Sequence, residues 1–369
     1  MKKRFKFILP LLPGLIAVAL YLILPHFPAF TERVFSRGIF HVISVPLGGL
    51  VAVLPFSLTA VLAVLSPLIL LALLALFIRR LVKSKGRRRR VGARALRACC
   101  WALSCGLLLY MVMHGANFYR LPLSELMNID TSSCTAEELY AVCVDLADKA
   151  SAERAALAED GSGRMKLPVG MAEELRRADA GYRALEGQYP FLWGGVWRAK
   201  PVEPRIVSHY WSYTNITGMY FPFLAEANVN IDPPACTIPF TASHELGHTR
   251  GFAREDECNF LAFLTATHSP YAEYRYSGYL LAYQYCIGDL NKADGDLASR
   301  AAGHCSAAVN RDLQGQSDYW RQFATPVGET VSNAANQVNN AFIQSQGVPS
   351  GVYSYNEAVK LIVGYEQNP

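Results

Sequence analysis

Acidic side chains are nearly missing from the front of this chain. Residues 1–97 contain a single one, Glu32, against sixteen Lys/Arg. Charge of either sign is scarce overall, at 18% of residues. Such a segment cannot form the mixed-charge surface of an ordinary soluble domain. Three runs carry no charge at all: residues 7–24 (FILPLLPGLIAVALYLIL), residues 57–78 (SLTAVLAVLSPLILLALLALFI) and residues 98–114 (ACCWALSCGLLLYMVMH). A bilayer core of about 30 Å needs roughly 20 apolar residues in a helix, so each run is expected to span a membrane. A small-residue cleavage site is lacking after the first run, so it is expected to stay as an anchor behind the basic MKKRFK. No CxxC pair occurs, which excludes a cysteine metal knuckle. No internal repeat is visible.

The basic residues orient these spans. Between the second and third runs lies RRLVKSKGRRRRVGARALR, with ten Lys/Arg and no acid. Pinned between apolar runs, it reads as a cytoplasmic loop (79–97) against anionic lipid rather than a nucleic-acid patch. Three spans then put residues 115–369 outside the cytoplasm. Those residues hold the other nineteen basic and twenty-nine acidic side chains, a net of 19 − 29 = −10. Residues 28–56 are apolar but broken by Pro46, Gly48, Gly49 and Pro55. They lie in the interface, re-enter, or cross; crossing would invert the orientation. Of nine cysteines, Cys99, Cys100 and Cys105 fall in the third run and are expected to be inert packing residues. The other six (Cys134, Cys143, Cys236, Cys258, Cys286, Cys305) permit disulfides without fixing a pairing.

Beyond residue 114, Thr135 and Glu138 form a capping-box pattern ahead of a helix, and GMAEELRRADAGYRALEG predicts a second. These two are expected to form a hairpin beneath the functional part. Residues 203–240 read as short strands and loops, with GMYFPFLAEANVNID as one extended edge. The C-terminal YSYNEAVKLIVGYE predicts a small final helix on the domain.

The chemistry concentrates in TASHELGHTRGFAREDECNFLAF, residues 241–263. Thr241 or Ser243 is expected to cap a helix after Pro239. His244 and His248 are four apart and share one face, so they can hold one zinc. Glu245 lies beside them, where it could take a proton from a water acidified by the metal. Gly251 fits a helix stop. Burying two histidines and a glutamate in apolar flanks demands a reason, and a metal supplies one. The bland alternative is a polar surface helix. A third ligand is needed. Arg254 stands where one class of zinc protease has a third histidine, and a guanidinium cannot ligate.

The segment that follows resembles the Glu-x-x-(Ala/Cys)-(Asp/Asn) helix of the gluzincin proteases. The resemblance implies Glu255 as the zinc ligand and Asn259 as its support. The spacer is short, six residues from His248, and Glu257 remains the alternative. More widely, FYRLPL, YFPFLAEANVN, HELGHTRGFAREDECNF and YRYSGYL resemble domain-of-unknown-function family 3810, a group of bacterial membrane proteins. The likeness covers nearly the whole chain. It implies a membrane-anchored, zincin-like protein and assigns no substrate. Cys258 stands where that family usually has alanine, a small-for-small change.

The expected fold is therefore an α-helical membrane region of about three transmembrane helices (1–114) plus a mainly α, α+β zincin-like extracytoplasmic domain (115–369). Glu226, Asn228 and Asn230 are candidates for a substrate-binding strand. Tyr276, among Tyr274, Arg275 and Tyr279, is a candidate oxyanion donor, with aromatic core packing as the alternative. His268 reads as a surface residue, and the asparagine-rich stretch 333–340 carries no reading. The expected function is a membrane-anchored zinc metallopeptidase at the cytoplasmic membrane, with Zn2+ as cofactor. Its partners are the lipid bilayer and a peptide or protein substrate; nucleic acid is excluded. The rivals are a non-catalytic zincin-fold sensor or scaffold and a zinc hydrolase of cell-wall amides.

Overall fold

The computed structural model describes residues 8–132, 134–202, 205–348 and 357–367. Four helices are long and apolar enough to cross a membrane: Leu9–His26, Pro28–Ala52, Leu58–Lys83 and Arg88–Met113. The first and last run side by side in the same direction. Leu9 sits near Arg97 and Trp101, Gly14 faces Ser104, and the Tyr21 ring lies 6.2 Å from Tyr119. Leu58–Lys83 runs the opposite way. The basic stretch expected as a loop is mostly helical, because both helices continue past their apolar parts; only residues 84–87 turn.

Pro28–Ala52 behaves differently from the other three. After a first α-helical turn, Pro28–Phe30, it has a π-helical stretch, Thr31–Ile39, and it contains Pro46. Its contacts with the large domain extend along its length. Glu32 receives two hydrogen bonds from Arg120, at 2.7 and 2.8 Å. Phe40 packs on Gly251, and the His41 ring lies 5.9 Å from Trp193. At its end, Arg198 donates to the carbonyls of Ala52 and Leu54, and Lys200 to that of Val51. Glu32 and Arg120 are both buried, so the pair holds this helix where neither charge could stand alone.

The large domain is mainly helical around one small sheet. β1 (Lys200–Pro201), β2 (Gly218–Phe221) and β3 (Glu226–Val229) take the order β1-β3-β2, with β1 parallel and β2 antiparallel to β3. The expected single extended edge is instead this β2–β3 hairpin. Pro222 cannot continue the ladder, and the chain turns through Pro222–Leu224 to Ala225 at positive φ. Within the stretch read as strands and loops, Arg205–Tyr213 is helical.

Thr135 and Glu138 do form a capping box, on helix Ala136–Arg154. That helix packs on Ala272–Ala293, while Met171–Leu185 packs on Ile238–His248, so the two expected hairpin partners serve different neighbours. The last helix, Ala358–Gln367, packs on Glu255–Thr267 as expected; residues 353–356 of the segment quoted for it lie outside the described residues. All nine cysteines are unpaired thiols. Cys99 and Cys105 are exposed on the apolar helix rather than packed.

Candidate metal centre

The motif helix, Ile238–His248, is buried along its whole length. Thr237 precedes it and Pro239 occupies its first turn, where a missing N–H costs nothing. Thr241 and Ser243 are not caps. They lie inside the helix and donate back to the carbonyls of Thr237 and Pro239. The chain leaves through Gly251 at φ +82°, where a Cβ would also crowd Phe40. Arg120 ties this turn down by donating to the Gly251 carbonyl at 2.8 Å. The glutamate helix, Glu255–Thr267, then begins at once, with Arg254 as its N-cap residue.

This tight return brings three donors together. One ligand atom each from His244, His248 and Glu255 lies within 4.8 Å of the others. Glu255 Oε2 is 3.1 Å from His244 Nε2 and 3.8 Å from His248 Nε2. Donors of a tetrahedral ion bound at about 2.0–2.1 Å stand roughly 3.4 Å apart, so the set fits a metal. Both rings are held by their other nitrogen. His244 Nδ1 donates to Asn259 Oδ1 at 2.8 Å, and His248 Nδ1 to the Phe252 carbonyl at 2.8 Å. Each Nε2 thereby faces Glu255, the orientation that metal-ligating histidines need. Burial pushes the Glu255 carboxyl up, but His248 and His244 outweigh it and hold it down to about 2. It is therefore an anion available to a cation.

Glu257 is turned away. It is buried, accepts from the Leu123 N–H at 2.8 Å, and approaches Arg254 at 3.9 Å. Cys258 Sγ sits 3.3 Å from His248 Nδ1 and packs behind the site.

Glu245 lines the same cavity. Its Oε2 is buried with no hydrogen-bond partner among the described residues, and burial raises its carboxyl to about 8. A divalent cation at the triad would oppose that rise. Gly218 on β2 presses against this carboxylate: a Cβ there would stand 2.3 Å from Glu245 Oε1. A Gly218→Ala variant is expected to displace the Glu245 side chain while leaving metal content unchanged. Metal analysis and a structure of the variant check this, and an unmoved Glu245 would mean that the strand yields instead.

The remaining sequence candidates lie elsewhere. Tyr276 is fully buried and donates to Asp312 at 2.6 Å, beside Arg154, in the core. Glu226 and Asn228 serve Leu58–Lys83. Glu226 accepts from the N–H groups of Leu58 and Thr59 at 3.0 and 2.7 Å, and Ser57 donates to Asn228 Oδ1 at 2.6 Å. A carboxylate at a helix N-terminus meets the positive end of the macrodipole. Asn230 donates to Ser212 and to the Ile216 carbonyl. β3 is the central strand, paired on both sides, so it cannot take up a peptide. β2 has no strand on its other edge among the described residues, and its Gly218 to Tyr220 line the cavity. His268 is exposed, as expected.

The cavity, about 1210 Å³, contains side chains that sequence reasoning missed. His114, just past the last apolar helix, stacks edge-on to His248 with ring centres 6.1 Å apart. Burial, then His248, lowers it to about 3, so it is neutral. Tyr220 stacks on His248 at 5.9 Å, and its hydroxyl has no partner among the described residues. Tyr285 donates to Asn259 at 3.4 Å. The asparagine-rich helix, Pro326–Ser345, forms the opposite wall through Asn336, Val338, Asn339 and Phe342. The only sequence signal for His114 was a lone histidine ending an apolar run.

Comparison with curated proteins and with solved structures finds no match. The family model described as "Protein of unknown function (DUF3810)" matches residues 35–363, from the helix held by Arg120 through the motif to the final helix, and the chain belongs to that family.

Proposed function

We propose that this protein is a membrane-anchored zinc-dependent metallopeptidase working on the extracytoplasmic side. The convergence of His244, His248 and Glu255 around one point, with the unpartnered Glu245 carboxylate in the same cavity, carries this reading. Zinc held there would supply Lewis acidity, lowering the pKa of a water toward about 7 and polarising a carbonyl. Glu245 takes the proton of the attacking water and returns it to the leaving amine. Asn259 and the Phe252 carbonyl keep the two imidazoles in register. Tyr220 and neutral His114 are the donors available to the oxyanion. The free edge of β2, which carries Gly218 to Tyr220, favours an extended peptide, since a strand can add there by main-chain hydrogen bonds.

The helix ends support this side. Arg79, Arg80, Lys83 and Arg88 to Arg90 gather at the 84–87 turn, at the far end of the helices from the site. A cytoplasmic position for that cluster puts the cavity outside. Leu58–Lys83 has both its cap and its sheet contacts on the cavity side, while Pro28–Ala52 starts and finishes there. This arrangement supports three crossings, with Pro28–Ala52 as the helix that does not cross. Protease added to intact spheroplasts is expected to degrade the domain; a protected domain would invert the topology.

Activity is tested with the full chain in lipid nanodiscs, stripped of metal and then reloaded with zinc, on a quenched-fluorescent peptide library. Cleavage that disappears on stripping and returns with zinc is expected. A zinc-replete protein that cuts no peptide would overturn the reading in favour of a non-catalytic sensor or a different amide substrate.

A further inference from the structure

The site stands far from the apolar helices in sequence but touches their ends in space. Tyr110, in the last turn of Arg88–Met113, and His114, directly after it, line the cavity. Ser57 and Thr59, at the start of Leu58–Lys83, are bonded to β3 residues Asn228 and Glu226. β2 lies one strand further on, about 4.8 Å away. From Leu58 to Ile78 this helix rises about 30 Å, the thickness of a hydrocarbon core. Its capped end therefore lies at the membrane boundary, and the cavity begins there.

The wall formed by Pro326–Ser345 reaches the same level. Phe342 packs on Tyr110 with ring centres 6.2 Å apart, and the Ser345 carbonyl accepts from Tyr21 at 2.9 Å. Val327, Val331, Val338 and Phe342 fall within about 60° of one face of this helix. All four are exposed, Val327 and Val338 by more than 70%. Phe223, on the hairpin turn opposite, is exposed and lines the cavity as well. Val338 and Phe342 line the cavity that holds His244, His248 and Glu255, and the helix ends against two membrane helices, so this apolar face suits a ligand that is itself apolar and held at the bilayer.

Resting on the peptidase reading, we propose that the substrate is a membrane-anchored polypeptide, cut within a few residues of the lipid surface. It enters between Phe342 and Phe223 and lies along the Val327–Phe342 face. The reaction is hydrolysis. The water oxygen bonds to the carbonyl carbon, the C–N bond breaks, and the proton held by Glu245 passes to the amine. Acid and amine are the only products, and no other reactant is needed.

The test uses the full chain in phosphatidylethanolamine/phosphatidylglycerol nanodiscs and one apolar quenched-fluorescent peptide with a palmitoyl anchor. In one form the scissile segment follows the anchor directly. In the other a Gly/Ser spacer of about 20 residues, reaching roughly 25 Å, intervenes. Both are equally confined to the bilayer, so only height differs. At least about tenfold faster cleavage of the short form is expected, within the range that effective concentration supplies. Equal rates overturn the inference and leave the peptidase standing. Cleavage of neither by zinc-loaded protein removes the peptidase reading and the inference together. A second readout needs no turnover: fluorescence anisotropy of the short anchored peptide on Glu245→Gln protein. Val338→Asp with Phe342→Asp is expected to weaken that binding at least about tenfold, and unchanged binding would exclude the groove.

Discussion

Glu245→Gln protein is expected to purify with its zinc and to lose about 10²- to 10⁴-fold in turnover, the range that one positioned acid–base group supplies. The substitution keeps shape and volume and removes only the ability to carry a proton. Among the described residues Glu245 Oε2 has no hydrogen-bond partner, so none is lost from that atom. The candidate ligands His244, His248 and Glu255 are separate side chains, so a metal they hold is expected to stay. Measuring zinc content beside peptide hydrolysis separates the two effects. A variant that holds zinc and keeps full activity would remove Glu245 from the reaction.

The second large effect concerns the two glutamates that the sequence left in competition. Glu255→Ala is expected to lower zinc affinity by more than about 100-fold, beyond the 10- to 100-fold that loss of a supporting residue causes. Glu257→Ala is expected to keep its zinc and to lose stability instead, because the Leu123 N–H would be left buried without an acceptor. Metal analysis of both purified proteins, with thermal unfolding alongside, reads the difference. Zinc retained by the first and lost by the second would exchange their roles.

That pair shows how far the sequence reached. Residues 255 and 257 lie about 200° apart around a helix, so periodicity says that only one can face the histidines. It does not say which. The choice is made by the turn 249–254, where Gly251 at positive φ and the hydrogen bond from Arg120 to its carbonyl set how the next helix is rotated. Arg120 lies more than a hundred positions upstream, and its own partner, Glu32, is further still. Cys258 and Asn259 follow from that rotation, one behind His248 and one under His244.

Glu226 and Asn228 were misread for a related reason. A polar stretch beside a motif looks like substrate contact, yet both side chains hold the N-terminus of a membrane helix some 170 positions away. Tyr276 was a reasonable oxyanion donor by type, and packing buried it on Asp312.

By itself the sequence determined the features whose physics is local. Apolar length placed the runs 7–24, 57–78 and 98–114 in helices, although the basic stretch 79–97 between the last two, expected as a loop, proved mostly helical. The four-residue spacing put His244 and His248 on one face, the Thr135–Glu138 box started its helix, and Gly251 ended the motif helix. Tertiary structure alone decided which glutamate returns, that Pro28–Ala52 lies along the domain, and that His114 and Tyr220 join the cavity. It also brought the candidate metal site to the ends of the apolar helices, although the motif stands 130 residues from the last of them. The reason is the range of the forces. Helix periodicity and capping act within one turn of chain, whereas the facing of a side chain is set by whatever distant surface must be buried against it.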